Sequence, residues 1–137
     1  MAHLLGIDVG TGGTRALVID EHGRIVASAT SDHVPFASPE TGWAEQDPGE
    51  WTRALVTVLA RVREATEGRE IAALSFGSQL DGIVAAGGDG TPLRPALIWC
   101  DRRAGAECEE GAGRTDLERL RELTGCNLDP GHGAAKI

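Results

Sequence analysis

Positive charge is scarce in this 137-residue sequence. Lys and Arg number 13 against 21 Asp and Glu, for a net charge of −8. Nucleic acids and anionic membrane surfaces both demand a cationic face, so neither is expected as a partner. Lysine itself is nearly missing: Lys136 is the only one, and the remaining basic residues are arginine. No window of 18 consecutive apolar residues occurs, so no membrane-spanning helix is expected. The N-terminal stretch has no basic n-region and runs straight into Asp8, so no signal peptide is expected. The three cysteines, Cys100, Cys108 and Cys126, cannot all pair and fit no zinc spacing, which suits reduced thiols in the cytoplasm. Internal repeats and low-complexity tracts are also missing. What remains is an ordinary globular balance, 41% hydrophobic and 25% charged, which excludes intrinsic disorder and collagen-like order. The length permits one domain and not two. Glycine is abundant at 19 residues, which predicts loops where backbone approaches something closely.

Hydrophobic patterning sets out the elements. Leu4 to Val9 is an apolar run closed by Gly10 and reads as a buried strand. Thr14 to Asp20 is a second strand; Glu21-His22-Gly23 turns the chain, and Arg24 to Thr30 alternates as a third. The three are expected to form an antiparallel meander. Ser31 to Asp47 reads as a loop. Asp47 then looks like an N-cap, with Pro48 at N1 and Glu50 at N3 closing a capping box. Trp51, Ala54, Leu55, Val58, Leu59 and Val62 fall on one face of the helix that follows, and Gly68 ends it. Ile71 to Gly77 reads as a buried strand parallel to the first through a crossover. Ile83 to Ala86 and Leu97 to Cys100 read as short strands, with a hairpin turn at Gly87-Gly88-Asp89-Gly90. Asp101 to Glu122 is a charge run, read as a solvated helical face with a Leu117, Leu120, Leu123 stripe. Gly125 to Ile137 reads as a tail without an element of its own. The order β-β-β-α-β, followed by further β and α, describes an α/β domain of ribonuclease H-like topology, a mixed sheet with flanking helices.

Three segments could carry chemistry. In the first, Asp8 closes a strand and Gly10, Thr11, Gly12, Gly13, Thr14 and Arg15 follow. Glycines expose backbone N–H groups in a concave nest that suits phosphate oxygens, and the two threonine hydroxyls could donate to the same oxygens. A carboxylate beside phosphate requires a divalent cation between them, so Asp8 implies Mg²⁺, held partly through water. No Gly-Lys-Thr/Ser occurs and no helix follows, so this is neither a Walker P-loop nor a dinucleotide fingerprint. A tight hairpin turn with a capping Asp explains the same residues. The second segment, Gln79, Leu80 and Asp81 between Gly77 and Gly82, follows the parallel strand, where α/β proteins place their ligands. Gln79 and Asp81 suit hydroxyl groups; a polar strand-to-hairpin turn is the alternative. If the first and fourth strands are neighbours, Asp8 and Asp81 face one cleft. In the third segment, Trp99 could stack on a sugar face and Asp101 accept from a hydroxyl, or they could be a core Trp and a helix N-cap. His3, His22, His33 and His132 show no partner spacing and read as surface or loop residues.

With these segments in place, the chain resembles the N-terminal part of an FGGY-family carbohydrate kinase over essentially its whole length. The resemblance is carried by Gly6-Ile7-Asp8-Val9-Gly10-Thr11 with Arg15, by Gly42-Trp43-Ala44-Glu45-Gln46-Asp47-Pro48, and by Gly77-Ser78-Gln79-Leu80-Asp81-Gly82. It continues through Arg94 to Arg103 and closes on Thr124-Gly125 and Lys136. Xylulokinase-like members look most similar, with glycerol kinases more distant. The resemblance implies an ATP- and Mg²⁺-dependent kinase acting on a small sugar, on the scaffold shared with actin and the chaperone ATPases. It implies residues 1–137 as the N-terminal portion of the first of two domains. Asp8, Gly10, Thr11 and Arg15 would lie in the phosphate loop, and Leu80, Asp81, Trp99 and Asp101 where the family contacts its sugar. Glu45 and Gln46 belong to a family signature of structural role. No catalytic residue is implied within this chain, the general base of the family lying beyond residue 137. A homodimer of the longer parent stays open.

Leu80-Asp81 departs from the family, where xylulokinases show Met-His and glycerol kinases Arg-Glu. A carboxylate only accepts hydrogen bonds, so Asp81 suits a ligand that donates hydroxyls and weakens the assignment to xylulose. A xylulose-like ketopentose remains the favoured acceptor, with a polyol as second choice. The alternative class is a non-catalytic nucleotide-binding module of actin or chaperone type, which would have no need of Gln79 to Gly82 and Trp99. A two-metal nuclease is disfavoured by the charge of −8.

Overall fold

Alternating burial along the first strand organises the protein. The computed structural model describes residues 2–137, so Met1, where the N-terminal reading starts, lies outside the described residues. In β1 (His3–Val9), His3, Leu5 and Ile7 point into a core while the residues between them are exposed, as the period of two demands. β2 (Gly13–Asp20) and β3 (Ile25–Asp32) add antiparallel strands, so the predicted meander is present. β5 (Ile71–Ser78) pairs parallel with β1, and the sheet order is β3-β2-β1-β5. The parallel return is made by α1 (Pro48–Ala65), the crossover that parallel strands require.

α1 begins where the sequence places it. Asp47 caps the helix by accepting from the Gly49 N–H at 2.8 Å, and Pro48 takes the first turn. The reciprocal half of the capping box does not form, because the Glu50 carboxylate is drawn to Arg53, which also bonds Asp47 at 2.8 Å. Ala54, Val58 and Val62 are buried one turn apart, and Val58 and Val62 pack with Leu5, Ile7, Ala16, Val18 and Ala27. Each buried Val, Leu or Ile side chain among them contributes about 1.5–3 kcal/mol relative to exposure. Thr66 ends the helix, ahead of the predicted stop, and Gly68 (φ +69°) follows in the left-handed region.

The chain divides into two compact units. The first, residues 2–35 and 47–79, is the sheet with α1. The second, residues 36–46 and 80–137, is built around a small ladder in which β4 (Glu45–Gln46) pairs with β6 (Ala96–Leu97). Ala44, Ala96, Leu97, Ile98 and Ala104 are buried there. α2 (Gly105–Arg114), α3 (Leu117–Thr124) and the short α4 (Gly133–Lys136) complete it.

Several expectations need correction. β5 is not buried: Leu74 and Phe76 are each 58% exposed. They pair with Leu5 and Ile7, but β5 is the edge of the sheet and α1 packs on β2 and β3. Residues 83–86 form isolated bridges, Ile83 to Leu97 and Ala86 to Pro92, and the strand expected over residues 97–100 shrinks to Ala96–Leu97. The loop expected over residues 31–47 contains β4, too short to leave a periodic signature. The charge run splits into two helices at Asp116, whose carboxylate accepts from the Arg119 N–H at 3.0 Å. The tail carries one helical turn, α4. His3 and His33 are buried, against the surface reading; His22 is exposed as expected. All three cysteines are free.

Candidate functional site

The first unit places Asp8 at the carboxyl end of β1, opposite Arg15 on β2 and Gly77 on β5. The neighbours expected for β1 and β5 are therefore found. The turn between β1 and β2 closes by a bond from the Gly10 N–H to the Gly13 carbonyl at 3.0 Å. Asp8 keeps more than half of its side chain exposed, and the Arg15 guanidinium approaches it at 3.9 Å. Gly10 and Gly77 flank the carboxylate. A Cβ on either would lie within 3.6 Å of an Asp8 oxygen and narrow access to it. At the carboxyl end of β5, the Gln79 N–H bonds the Val9 carbonyl at 3.0 Å, and the Thr11 hydroxyl donates to Gln79 Oε1 at 3.4 Å. Gln79, expected on the sugar, thus sits against the glycine turn.

Thr14 does not offer its hydroxyl to a phosphate. It is fully buried, and its Oγ1 lies 2.9 Å from His33 Nε2. His33 also donates its backbone N–H to the Gly12 carbonyl at 3.0 Å, so this residue of β3's exit anchors the turn from below. Gly13 is buried beside it, where a Cβ would meet the Ser31 carbonyl at 2.9 Å; only glycine fits so close to backbone. Gly10, Thr11, Gly12 and Arg15 remain as the accessible part of the turn.

The second unit holds Leu80, Asp81, Trp99 and Asp101. Leu80 and Asp81 are exposed, and Asp81 takes a left-handed backbone, φ +54°, outside the preference of a non-glycine residue. Trp99 is 52% exposed, against the core role offered as an alternative. Asp101 is the second correction to the candidate site. It is 0% exposed and accepts the Ala44 N–H at 2.7 Å and the Arg103 guanidinium at 2.7–3.0 Å. Burial pushes its carboxyl upward, but Arg103 and the backbone donors outweigh this and hold it below its ordinary value. With its oxygens spent on these partners, Asp101 braces the fold and does not stand open to a ligand as expected.

Arg103 is the residue that sequence reading missed. It bonds Asp101, reaches Glu45 at 2.7 Å and stacks over the Trp43 ring with 3.7 Å to its centroid. Glu45 also receives Arg94 at 2.7 Å, which gives the structural role expected of it. The only available hint was the Trp43-Ala44-Glu45 and Asp101-Arg102-Arg103 clusters, more than 50 residues apart in sequence. Beside Asp81, a cavity of about 400 Å³ is lined by Leu120, Asn127, Leu128, Asp129 and His132.

A single half-exposed carboxylate cannot by itself retain a bare divalent cation, and no group of three His, Cys, Asp or Glu side chains is found among the described residues. The donor set fits Mg²⁺ that keeps its waters and shares phosphate oxygens, which is the ion's preference. Asp8 is the residue that would face it.

A meander, a crossover helix and a parallel fourth strand, with an open carboxylate beside a glycine turn, define the fold of the sugar kinases, an α/β fold with a mixed sheet. Residues 3–137 match the FGGY family of carbohydrate kinases, N-terminal domain, and the chain belongs to this family. It is 32% identical over 124 residues to xylulose kinase from Staphylococcus xylosus, covering 90% of this chain and 26% of that protein. It is 35% identical over 140 aligned positions to glycerol kinase from Ralstonia nicotianae, covering 100% of this chain and 28% of that protein. Its structure matches xylulose kinase from Rhodospirillum rubrum with a TM-score of 0.93 and 28% identity, covering 98% of this chain and 28% of the other. The chain spans about a quarter of the length of the curated relatives it matches.

Proposed function

We propose that this chain is the N-terminal portion of a two-domain carbohydrate kinase that transfers the γ-phosphate of ATP to a sugar hydroxyl. The observation that carries the reading is Asp8, held open at the end of β1 between two glycines and beside Arg15. The acceptor oxygen attacks the γ-phosphorus as the bond to the β–γ bridging oxygen breaks; ADP leaves, and the hydroxyl proton passes to a base beyond residue 137. Such transfer is mostly positioning and electrostatic stabilisation. Mg²⁺, when bound, would neutralise charge on the phosphates. The part of this chain is to present the turn of Gly10, Thr11, Gly12 and Arg15 to the phosphates, with Asp8 toward the hydrated cation. Asp81 accepts from sugar hydroxyls, Leu80 lies beside it, and Trp99 offers an apolar face.

A xylulose-like ketopentose is the favoured acceptor. A polyol is the second reading, favoured by the similarity to glycerol kinases and by the carboxylate of Asp81. Exposed Trp99 and the Leu80-Asp81 pair speak against a module that only binds nucleotide. Three free cysteines suit a cytoplasmic setting. No helix of the described residues is long and apolar enough to cross a membrane. The test is a screen of the full-length protein against ketopentoses, polyols and glycerol, scored by ADP release. Release above the ATP-only rate with one of these acceptors is expected, and none with any of them overturns the reading.

A further inference from the structure

The sequence uses arginine for every basic position but one, and the exception is a half-buried lysine of the second unit. Lys136 Nζ donates to the Gly131 carbonyl at 2.5 Å, to the Ile98 carbonyl at 2.9 Å and, longer, to the Asp81 carbonyl at 3.4 Å. An ammonium has three donors, and here three backbone oxygens from three segments converge on it. A planar guanidinium fork cannot meet three converging acceptors at one point, which accounts for lysine where arginine is otherwise the rule.

Resting on the kinase reading above, we propose that Lys136 is a positioning residue for the acceptor sugar, clasping the Asp81 and Ile98 carbonyls so that the Asp81 carboxylate and the Trp99 ring are presented together. Ile98 is the residue immediately before Trp99, so fixing its carbonyl fixes the start of the segment that carries the ring. Asp81 holds a left-handed backbone, uncommon for a non-glycine residue, and the Lys136 bond falls on its own carbonyl. The third anchor is firm. A Cβ on Gly131 would lie 3.0 Å from the Trp99 carbonyl and 2.9 Å from Asp129 Oδ1, so this segment is pressed against the Trp99 backbone. Arg102 clamps Asp129 at 2.6 and 3.2 Å from the same side. Burial draws the Lys136 ammonium below its ordinary value, while the carboxylates of Asp101 and Asp81 favour its charged form.

The test compares Lys136→Met and Lys136→Arg with the unaltered protein in two readouts. In the 137-residue chain, hydrogen exchange is followed at Ile83, whose N–H bonds the Leu97 carbonyl, and at Asp101, whose N–H bonds the Ile98 carbonyl. Both variants should exchange about tenfold faster at these amides while the amides of β1 and β2 are unmoved. In the full-length enzyme, the sugar KM should rise about tenfold with the KM for Mg-ATP within about twofold, and methylammonium should restore the Lys136→Met enzyme in part. Unchanged exchange overturns the clasp. Faster exchange with an unchanged sugar KM, or an equal rise in both KM values, overturns the positioning role. Failure of the kinase reading shows separately, as an unaltered enzyme that phosphorylates no sugar, and it takes the acceptor role down with it.

Discussion

Arg103 and Asp101 form a bidentate ion pair inside the second unit, with Nε at 2.9 and 3.0 Å from the two carboxylate oxygens and Nη2 at 2.7 Å from one of them. Asp101 is wholly buried and the Arg103 side chain is 16% exposed, so the carboxylate has no water as a substitute partner and the guanidinium little. The same carboxylate holds the Ala44 N–H, and the same guanidinium holds Glu45 and covers Trp43. One pair thereby ties residues 43–45 to residues 101–103.

Removing the acid takes one of two carboxylates from Arg103 and leaves the Ala44 N–H unpaired. Asp101→Ala should cost about 1–3 kcal/mol, since the buried N–H loses its acceptor while the guanidinium keeps Glu45. Urea unfolding followed by tryptophan fluorescence should show a lower midpoint at an unchanged slope. A midpoint within error of the unaltered protein would show that the pair does not brace the fold.

The same carboxylate gives a pH dependence of definite sign. Its folded pKa lies below the ordinary value of 3.8, so the folded state binds the proton less readily than the unfolded chain. Its stabilisation is complete above about 3.8 and is lost as pH falls through the lowered folded value. Asp129, held down by the Gly131 N–H and, less strongly, by Arg102, acts in the same direction. Acid titration followed by tryptophan fluorescence should therefore show unfolding confined to the region below pH 3.8, with Asp101→Asn flattening that limb.

Asp8→Asn keeps the shape of the side chain and removes its charge. In the full-length protein, turnover at saturating Mg-ATP should fall by about a hundredfold, the usual cost of losing one electrostatic contributor. Unchanged turnover would remove Asp8 from the mechanism.

Asp81→Ala should act on the other reactant. The sugar KM is expected to rise by at least about tenfold, the value of a lost hydrogen bond to a charged acceptor, with the KM for ATP moving less. A larger rise for ATP would take Asp81 out of the sugar pocket.

The 137 residues alone should show no kinase activity, because no side chain proposed for them is the base that takes the hydroxyl proton. Measurable phosphorylation of xylulose by the isolated chain would place that base among these residues.

Much of the first unit was legible because its signals are local. The period-two run from Leu4 to Val9, the turn at Gly23 and the Asp47-Pro48 helix start depend only on neighbours a few residues away, and all three elements stand where they were read. The second unit was less legible. β4 and β6 are two residues each, below any periodicity, and exist because Ala44, Asp101 and Arg102 draw distant segments together. The glycine turn was visible as a motif, yet the burial of Thr14 was not. The His33 ring that pairs with its hydroxyl belongs to a residue 19 positions away, beyond β3.

The sequence by itself determined the four strands of the sheet and the crossover helix, the acidic end of β1 and the family resemblance, since composition, period and short motifs are properties of contiguous residues. Tertiary structure alone decided which polar groups are free to act. It turned Asp101 from a sugar contact into the buried partner of Arg103, closed Thr14 onto His33, and left β5 exposed where an apolar run suggested burial. The physical reason is common to all three. Burial and hydrogen-bond partnership are set by side chains far apart along the chain, and an isolated residue carries no record of what covers it. The near-absence of lysine takes its meaning there as well: the one ammonium stands where three carbonyl oxygens meet.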